Sequence, residues 1–327
     1  MCNTRVVSRL SCHFTAMLLM LTLLVGCSDP FDTSAESQPM RIGSNVWPGY
    51  EPLYLARELD YYEGLPISMV EYPSASEVLR AYRNGAIQAA ALTMDEVLIL
   101  AESGLDPRVV LLLDVSQGGD VILGQGDVQR VSDLKGRKVG VENTALGAYV
   151  LSRALAMNDM QVSDVTLVPL EVNEHEVAFK AGKIDAVVTF EPVRTRLLDV
   201  GAQLLFSSED IPGEIFDVLV VEGEYLAQNR EVVASLVQRW FQTLEYQRQN
   251  PQRAAETIAR RQQLKPEDYL ASMDGLKMVS RAENIEAMSG QSPPVRAVME
   301  RLKNSMLQNK LLKKDVDVER LVDAGLL

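Results

Sequence analysis

The chain has 327 residues, of which 47% are hydrophobic, so it has the length for two domains and the apolar material for a core. It carries 45 Asp and Glu residues against 32 Lys and Arg residues, a formal net charge of −13. Phosphate backbones repel a chain this acidic, which excludes nucleic acid as an expected partner.

The first 26 residues have the pattern of an export signal. Arg5 and Arg9 precede an apolar run over residues 17–25, which is shorter than the roughly 20 apolar residues that span a hydrocarbon core. The run closes on Leu24-Val25-Gly26-Cys27, an ending that resembles a bacterial lipoprotein signal. The resemblance implies cleavage before Cys27, lipid on that cysteine, and anchoring to a bacterial membrane, facing the periplasm or the cell surface. An uncut signal anchor is the alternative.

Cleavage before Cys27 changes the bulk properties of the chain. It removes two basic residues and no acidic residue, so the formal net charge moves from −13 to −15. Cys2 and Cys12 leave with the signal and lipid consumes the remaining thiol, so we expect no disulfide. Residues 27–39 are polar and contain Pro30 and Pro39, which predicts a flexible tether.

From Met40 onward, short apolar runs alternate with segments of helical periodicity. Strands are predicted at 41–43, 67–71 and 87–92, and helices follow them at 52–62, 77–84 and 95–103. This alternation predicts a parallel sheet with helices on its faces.

A second copy of the pattern follows at an offset of 97 residues. Ile42-Gly43 matches Val139-Gly140, and residues 85–89 match residues 182–186. We interpret this as two similar α/β lobes; chance similarity between two stretches of one fold class is the alternative. Two extended crossovers, at 109–126 and 216–221, would connect the lobes.

The C-terminal third is mainly helical and returns to the first lobe. Helices are predicted at 232–246, 266–278 and 295–307. The predicted organisation is a signal peptide at 1–26, a tether at 27–39, a discontinuous first lobe at 40–118 plus 217–327, and a second lobe at 119–216.

Three segments carry a family resemblance: Trp-Pro-Gly-Tyr-Glu-Pro-Leu-Tyr-Leu-Ala at 47–56, Asp-Leu-Lys-Gly-Arg-Lys-Val-Gly-Val at 133–141, and Gly-Lys-Ile-Asp-Ala at 182–186. They resemble the nitrate/sulfonate/taurine/pyrimidine-precursor group of ABC-transporter substrate-binding proteins. The resemblance implies an α/β, type II periplasmic-binding-protein fold, with two lobes joined by two crossover strands and a helical C-terminal segment. It also implies that the lobes close on one small ligand, which an ABC permease receives. We expect a monomer; a membrane sensor that responds to closure is the alternative partner.

Ligands of open α/β sheets bind beyond the carboxyl ends of the strands, and the repeat identifies those loops in both lobes. The predicted ligand-binding residues are Asn45, Trp47, Tyr50, Tyr72, Ser74, Ser76, Thr93, Asp95, Asn143, Thr144, Asn173 and Glu191. Trp47 and Tyr50 offer flat faces to a ring or a cation, although a core contact is the alternative for Trp47. Ser74 and Asn173 also fit helix-capping patterns.

Five acids fall in the same loops or in first helical turns: Glu51, Asp95, Glu142, Glu171 and Glu191. These loops contain no Lys or Arg, whereas an oxyanion site requires donors or positive charge. The pattern therefore favours a ligand that donates hydrogen bonds or carries positive charge, such as an aminopyrimidine-like ring or an organic amine. Stabilisation of helix dipoles is the alternative role for these acids.

The mature sequence lacks a cysteine nucleophile, a metal-ligand spacing and a phosphate-binding loop, so we expect no catalytic residue, metal or cofactor. His175 is the only mature histidine, and its charged neighbours predict a solvated helix start. The pyrimidine-synthesis enzymes of this fold are associated with a cysteine-rich iron site, which this sequence does not have. An enzyme is therefore the less favoured alternative.

Overall fold

A computed structural model describes residues 39–142 and 145–327. The predicted signal peptide, Cys27 and the tether up to residue 38 lie outside these ranges, as do Asn143 and Thr144. Within these ranges, no helix is both long and apolar enough to cross a membrane.

Eleven strands within the described ranges form two sheets. The strands are β1 (Met40–Ser44), β2 (Ile67–Glu71), β3 (Ala89–Thr93), β4 (Pro107–Ser116), β5 (Asp120–Gly124), β6 (Lys138–Val141), β7 (Thr166–Pro169), β8 (Ala186–Phe190), β9 (Gln203–Ser207), β10 (Phe216–Glu222) and β11 (Leu276–Met278). The first sheet has the order β11-β4-β10-β3-β1-β2, and the second has the order β7-β6-β8-β5-β9.

Helices connect the strands and make up most of the C-terminal segment. They are α1 (Glu51–Glu58), α2 (Ala75–Arg83), α3 (Met94–Glu102), α4 (Ala145–Ala156), α5 (Val172–Lys180), α6 (Val193–Leu198), α7 (Gly223–Gln228), α8 (Arg230–Gln249), α9 (Pro251–Gln262), α10 (Pro266–Ser272), α11 (Arg281–Met288) and α12 (Pro294–Gln308).

The repeat predicted from the sequence is present in the pairing of the strands. Ile42 of β1 lies opposite Ala89 of β3, and Val139 of β6 lies opposite Ala186 of β8. The second pair therefore lies 97 positions after the first pair at both residues. Both sheets continue with an antiparallel strand beside this parallel unit, β10 in the first and β5 in the second. The prediction of two similar α/β lobes is confirmed.

Helices α2 and α5 are each followed by a glycine at equivalent positions of the repeat. Gly85 and Gly182 follow these helices, and each has a φ of +66°. Glycine takes this left-handed conformation without the steric penalty of a side chain, so it ends the helix and turns the chain toward the next strand.

Two short connections join the sheets, at residues 117–119 and 208–215, and hydrogen bonds hold them together. The hydroxyl of Ser208 accepts from Gly118 N at 2.6 Å and lies 2.8 Å from Ser116 Oγ. The predicted lobe boundary at 118/119 falls inside the first connection, and the boundary at 216/217 falls at the start of β10. We propose these two positions as the limits of the lobes.

The predicted helix at 266–278 is wrong in its last three residues. The α-helix ends at Ser272, residues 273–275 form one turn of 3-10 helix, and residues 276–278 form β11, which pairs with β4. Gly275 explains the change, because its carbonyl accepts hydrogen bonds from both Gln117 N and Gly119 N of the connection between the sheets. This tertiary contact holds the segment extended and overrides its helical periodicity.

The core is continuous across the lobes. Leu98 of α3, Leu151 of α4 and Met299 of α12 belong to one buried apolar cluster, although α3 and α4 flank different sheets. A second cluster lies beneath the first sheet and contains Trp47, Leu53 and Trp240. The residues around the cleft are therefore supported by packed helices on both sides.

Candidate functional site

A cavity of about 530 Å³, counted with its opening to solvent, lies between the two sheets. Its lining is Asn45, Trp47, Tyr50, Ala75, Thr93, Glu96, Asp120, Glu142, Leu146, Gly147, Val150, His175, Val188, Thr189, Phe190 and Asp217. Both lobes contribute. Asn45, Thr93 and Glu142 follow or end the parallel strands β1, β3 and β6, as expected for an open α/β sheet.

Trp47 links the cavity to the core of the first lobe. Its Nε1–H lies 3.2 Å from both carboxylate oxygens of Asp114, and its ring meets that of Phe190, across the cleft, edge-to-face at 6.0 Å between centroids. Gly119 leaves room for this ring, because a Cβ there would lie 2.6 Å from Trp47 Cη2. Trp47 therefore lines the cavity and also belongs to the core cluster of the first lobe, while its role in binding stays a prediction.

A pair of carboxyl groups lies beneath the aromatic side chains. Asp114 and Asp217 are register partners on β4 and β10, and both are buried. The Tyr50 hydroxyl donates to Asp217. Burial raises the pKa of Asp114 to about 7, and burial together with the charge of Asp114 raises the pKa of Asp217 well above its usual range. The pair thus tends to hold at least one proton near neutral pH.

Four acids line the cavity: Glu96, Asp120, Glu142 and Asp217. Burial raises the pKa of Asp120 and of Glu142 to about 7, and burial with the nearby charge of Asp95 raises the pKa of Glu96 well above its usual range. The described part of the lining contains no Lys or Arg. The described lining therefore offers carboxyl groups and no positively charged side chain.

His175 is not at a solvated helix start, and that expectation is wrong. The side chain is fully buried, lines the cavity, and places Nδ1 3.1 Å from Thr189 Oγ1. Helix α5 begins at Val172 and is capped by Glu171 and Glu174, so His175 lies on its inward face. Burial lowers the pKa of His175 to about 4, which keeps the imidazole neutral at physiological pH.

Glu142 joins the two lobes across the mouth of the cleft. Its Oε1 accepts from Ser76 N at 3.0 Å and from Ser76 Oγ at 3.1 Å. Ser76 lies in the first turn of α2, where backbone N–H groups are free to bind a carboxylate.

The predicted site residues fall into three groups. Asn45, Trp47, Tyr50 and Thr93 line the cavity. Ser76 reaches Glu142, and Asp95 is buried beside Glu96 in the first turn of α3. The other described members lie apart from the cavity lining: Tyr72, Ser74, Asn173 and Glu191.

The four residues apart from the cavity lining are accounted for by their positions in the fold. Ser74 caps α2, as its sequence pattern predicts, and Tyr72 packs beside Gly43. Asn173 does not cap α5, because it lies in the first turn of that helix and faces an outer cavity. Glu191 is fully buried and bonded to Arg194 and to both N and Oγ1 of Thr195.

The acidic set is less uniform than its sequence positions indicate. Glu51 pairs with Arg261, which is 210 positions away in the sequence and stacks 3.9 Å from the centre of the Tyr54 ring. Glu51 and Glu191 therefore have basic partners, whereas Glu142 lines the cavity without a basic partner among the residues that the structure describes.

Sequence reasoning missed Glu96, Asp120, His175, Phe190 and Asp217. Two of them carried a signal: Asp120 stands beside an apolar strand in a crossover, and Asp217 interrupts the apolar run of β10. A charged residue inside a buried strand requires a partner or a function. The residues of the two described ranges contain no group of three or more His, Cys, Asp or Glu side chains arranged to hold a metal ion.

The architecture is that of the periplasmic binding proteins. The alkanesulfonate-binding protein SsuA from Xanthomonas axonopodis pv. citri matches with a TM-score of 0.76 at 21% identity, over 89% of this chain and 99% of that chain. The periplasmic aliphatic sulphonate binding protein SsuA from Escherichia coli matches with a TM-score of 0.70 at 21% identity, over 88% and 98%. The predicted type II fold is confirmed.

The model of the NMT1/THI5-like family matches residues 47–254, and the chain belongs to this family. A protein of Brucella abortus (strain 2308), whose name assigns it a binding role, is 25% identical over 264 residues, 76% of this chain and 77% of the relative. The resemblance to the sulfonate and pyrimidine-precursor group of substrate-binding proteins is confirmed at the level of the family.

Proposed function

We propose that the protein is an extracytoplasmic solute-binding protein that captures one small amine-bearing or heteroaromatic molecule between its lobes for an ABC importer. The composition of the cavity carries this proposal. Four carboxyl groups and no described Lys or Arg line the cavity, and Trp47, Tyr50 and Phe190 add aromatic faces. Carboxylates attract a cation, and aromatic faces stabilise it further or stack on a ring.

The SsuA proteins are named for sulfonates, but the cavity of this chain disfavours binding of a sulfonate. An oxyanion is held by Arg, Lys or several N–H donors, and buried carboxylates repel it. Arg194 and Arg261 already pair with Glu191 and Glu51. We therefore assign this chain a ligand of the opposite charge character.

A binding role accounts for the site better than catalysis. His175 is buried and neutral, and its Nδ1 already lies within hydrogen-bond distance of Thr189. The carboxyl groups surround a cavity formed by two lobes, which suits capture by closure. We propose no reaction, cofactor or metal for this site.

The place of action follows from the N-terminal pattern. Lipid on Cys27 would hold the protein at a bacterial membrane facing the periplasm or the cell surface, close to a permease. After cleavage the formal net charge of the protein would be −15, which gives it no electrostatic attraction to anionic lipids. Attachment to the membrane would therefore depend on the lipid.

Native mass spectrometry of the protein purified without denaturation tests the proposal. A bound amine or heteroaromatic compound supports it, and a bound sulfonate overturns the ligand assignment. If the protein is empty, a thermal-shift panel of amines, heteroaromatic rings, sulfonates and carboxylates replaces it. A true ligand at 100 times its dissociation constant adds about 2.7 kcal/mol of stability, whereas a panel without any stabilising solute argues against solute binding.

A further inference from the structure

Glu96 brings an unsatisfied acceptor to the wall of the cavity. Its side chain is 2% exposed, and one carboxyl oxygen, Oε2, accepts from Thr93 N at 3.1 Å. The other oxygen, Oε1, is buried and has no hydrogen-bond partner within the described ranges. A buried carboxyl oxygen left unpaired costs about 1–3 kcal/mol, so a partner from the cavity is favoured.

His175 presents the matching feature from the other lobe. Its Nδ1 lies near the Thr189 hydroxyl, but Nε2 is buried and has no hydrogen-bond partner among the described residues. A neutral imidazole has one donor and one acceptor, and the Thr189 hydroxyl takes either role at Nδ1. Nε2 is therefore able to accept from a ligand or to donate to it.

The two residues come from different lobes but line one cavity. Glu96 lies in the first turn of α3 beside the first sheet, and His175 lies on α5 beside the second. Both unpaired atoms are buried, and both residues line the same cavity. A ligand that satisfies both atoms stabilises the closed state over the open state.

Building on the proposed function, we propose that Glu96 and His175 hold the polar head of the ligand, and that this head is an ammonium or amino group with N–H donors. The positive charge of an ammonium group favours the ionised form of Glu96. Oε1 of that carboxylate accepts one N–H, and His175 Nε2 accepts a second or pairs with a neighbouring ring atom. A quaternary ammonium carries the same charge but no N–H, so it leaves both atoms unpaired. The pair therefore selects protonated amines and amino-substituted rings over permanent cations.

The test uses two probes that share a ring and a charge, benzylamine and benzyltrimethylammonium, with affinities measured by isothermal titration calorimetry. The wild-type protein is expected to bind benzylamine at least about tenfold more tightly, since one additional satisfied hydrogen bond is worth about 1.4 kcal/mol. In Glu96→Gln, the amide oxygen replaces Oε2 at Thr93 N and the amide NH₂ faces the cavity. That donor does not accept an N–H, so the ratio of the two affinities is expected to fall to about one.

Two variants test the role of His175. His175→Phe retains an aromatic ring, and His175→Asn retains a polar group. Each is expected to weaken benzylamine at least about threefold more than benzyltrimethylammonium. Glu222→Gln is the matched control, because Glu222 accepts from Glu224 N and Tyr225 N at the start of α7, away from the cavity lining. This control is expected to leave both affinities unchanged.

A wild-type ratio near one overturns the assignment, and so does a ratio that the Glu96 and His175 variants leave unchanged. Binding of neither probe by a protein that another solute stabilises also overturns it, while the proposed function stands. A protein that no solute in the panel stabilises instead contradicts the proposed function itself.

Discussion

Glu142 of the second lobe caps the first turn of α2 in the first lobe through Ser76. One carboxylate oxygen accepts from both the backbone N–H, at 3.0 Å, and the hydroxyl, at 3.1 Å. This contact lies away from the two connections between the sheets, where Ser116, Gly118 and Ser208 form their own network. It therefore links the two lobes at a place apart from those connections, and any separation of the lobes there would break it.

Replacing Glu142 by Ala is expected to expose the amide of Ser76. Loss of the acceptor removes both hydrogen bonds, so we expect hydrogen exchange at that amide to accelerate at least about tenfold in the ligand-free protein. Glu142→Gln is the matched control, since its amide oxygen still accepts. Equal exchange rates in wild type and Glu142→Ala would show that this contact does not protect the amide in solution.

The two tryptophans of the chain allow the Trp47–Asp114 hydrogen bond to be measured. Trp47→Phe removes the donor and leaves the buried Asp114 carboxylate short of a partner, which should cost about 1–3 kcal/mol of unfolding free energy at pH 8. The cost should shrink at pH 5, because burial raises the pKa of Asp114 to about 7 and the group is then protonated. Urea unfolding at the two pH values provides the measurement.

Trp240→Phe is the control for this prediction. Trp240 is fully buried and its Nε1 has no hydrogen-bond partner in the described part of the chain. Its replacement should change stability by the same amount at both pH values. A pH-independent cost for Trp47→Phe as well would contradict a role for the Asp114 hydrogen bond.

Much of the fold is predictable from the sequence because it depends on local and repeated features. The alternation of apolar runs with helical periods gives the strands, and the 97-residue offset gives two lobes with the same register, Ile42 with Ala89 and Val139 with Ala186. The strand at 276–278 is not predictable in this way. It exists because the Gly275 carbonyl bonds to the connection at 117–119, and that contact joins segments far apart in the chain.

The site is less predictable than the fold for a related reason. Loops after strands are visible in the sequence, so Asn45, Trp47, Tyr50 and Thr93 are found. His175 is missed because its neighbours in the chain are charged, while its surroundings in space are Thr189 and the cavity wall. Glu51 is assigned to the cleft because its partner, Arg261, comes from a helix more than 200 residues later.

The lipid anchor is tested by Cys27→Ser. Without the thiol that carries lipid, the protein is expected to move from the membrane fraction to the soluble extracytoplasmic fraction. Cys12→Ser is the control, because that cysteine leaves with the predicted signal peptide and should not affect fractionation. A Cys27→Ser protein that stays with the membrane would contradict the lipoprotein assignment.

The ligand-free protein is expected to be less stable at pH 8 than at pH 5. Burial raises the pKa of Asp114, Asp120 and Glu142 to about 7 from 3.8 or 4.5, so the folded state binds more protons than the unfolded state between those values. Stability therefore falls as pH rises through that window. His175 acts in the opposite direction between about 4 and 6.5, but it is one group against several.

Asp120→Asn provides the variant for this pH dependence. It removes one of the buried ionisations, so it should raise the melting temperature at pH 8, have little effect at pH 5, and flatten the slope between them. Thermal unfolding followed by circular dichroism at steps of pH is the measurement. Stability that rises from pH 5 to pH 8 in the wild type would contradict the protonated state of these carboxyl groups.

The charge of the ligand has a pH signature of its own. A cation favours the ionised carboxylates, so its binding releases protons from groups with pKa values near 7 and should become tighter as pH rises from 5 to 8. A sulfonate would show the reverse, because each carboxyl that ionises adds repulsion.

Calorimetric titration of benzylamine in two buffers with different ionisation enthalpies measures the protons released directly. We expect release on binding to the wild-type protein and less release from Asp120→Asn; uptake of protons, or none, would show that the cavity does not act as the counter-charge of its ligand.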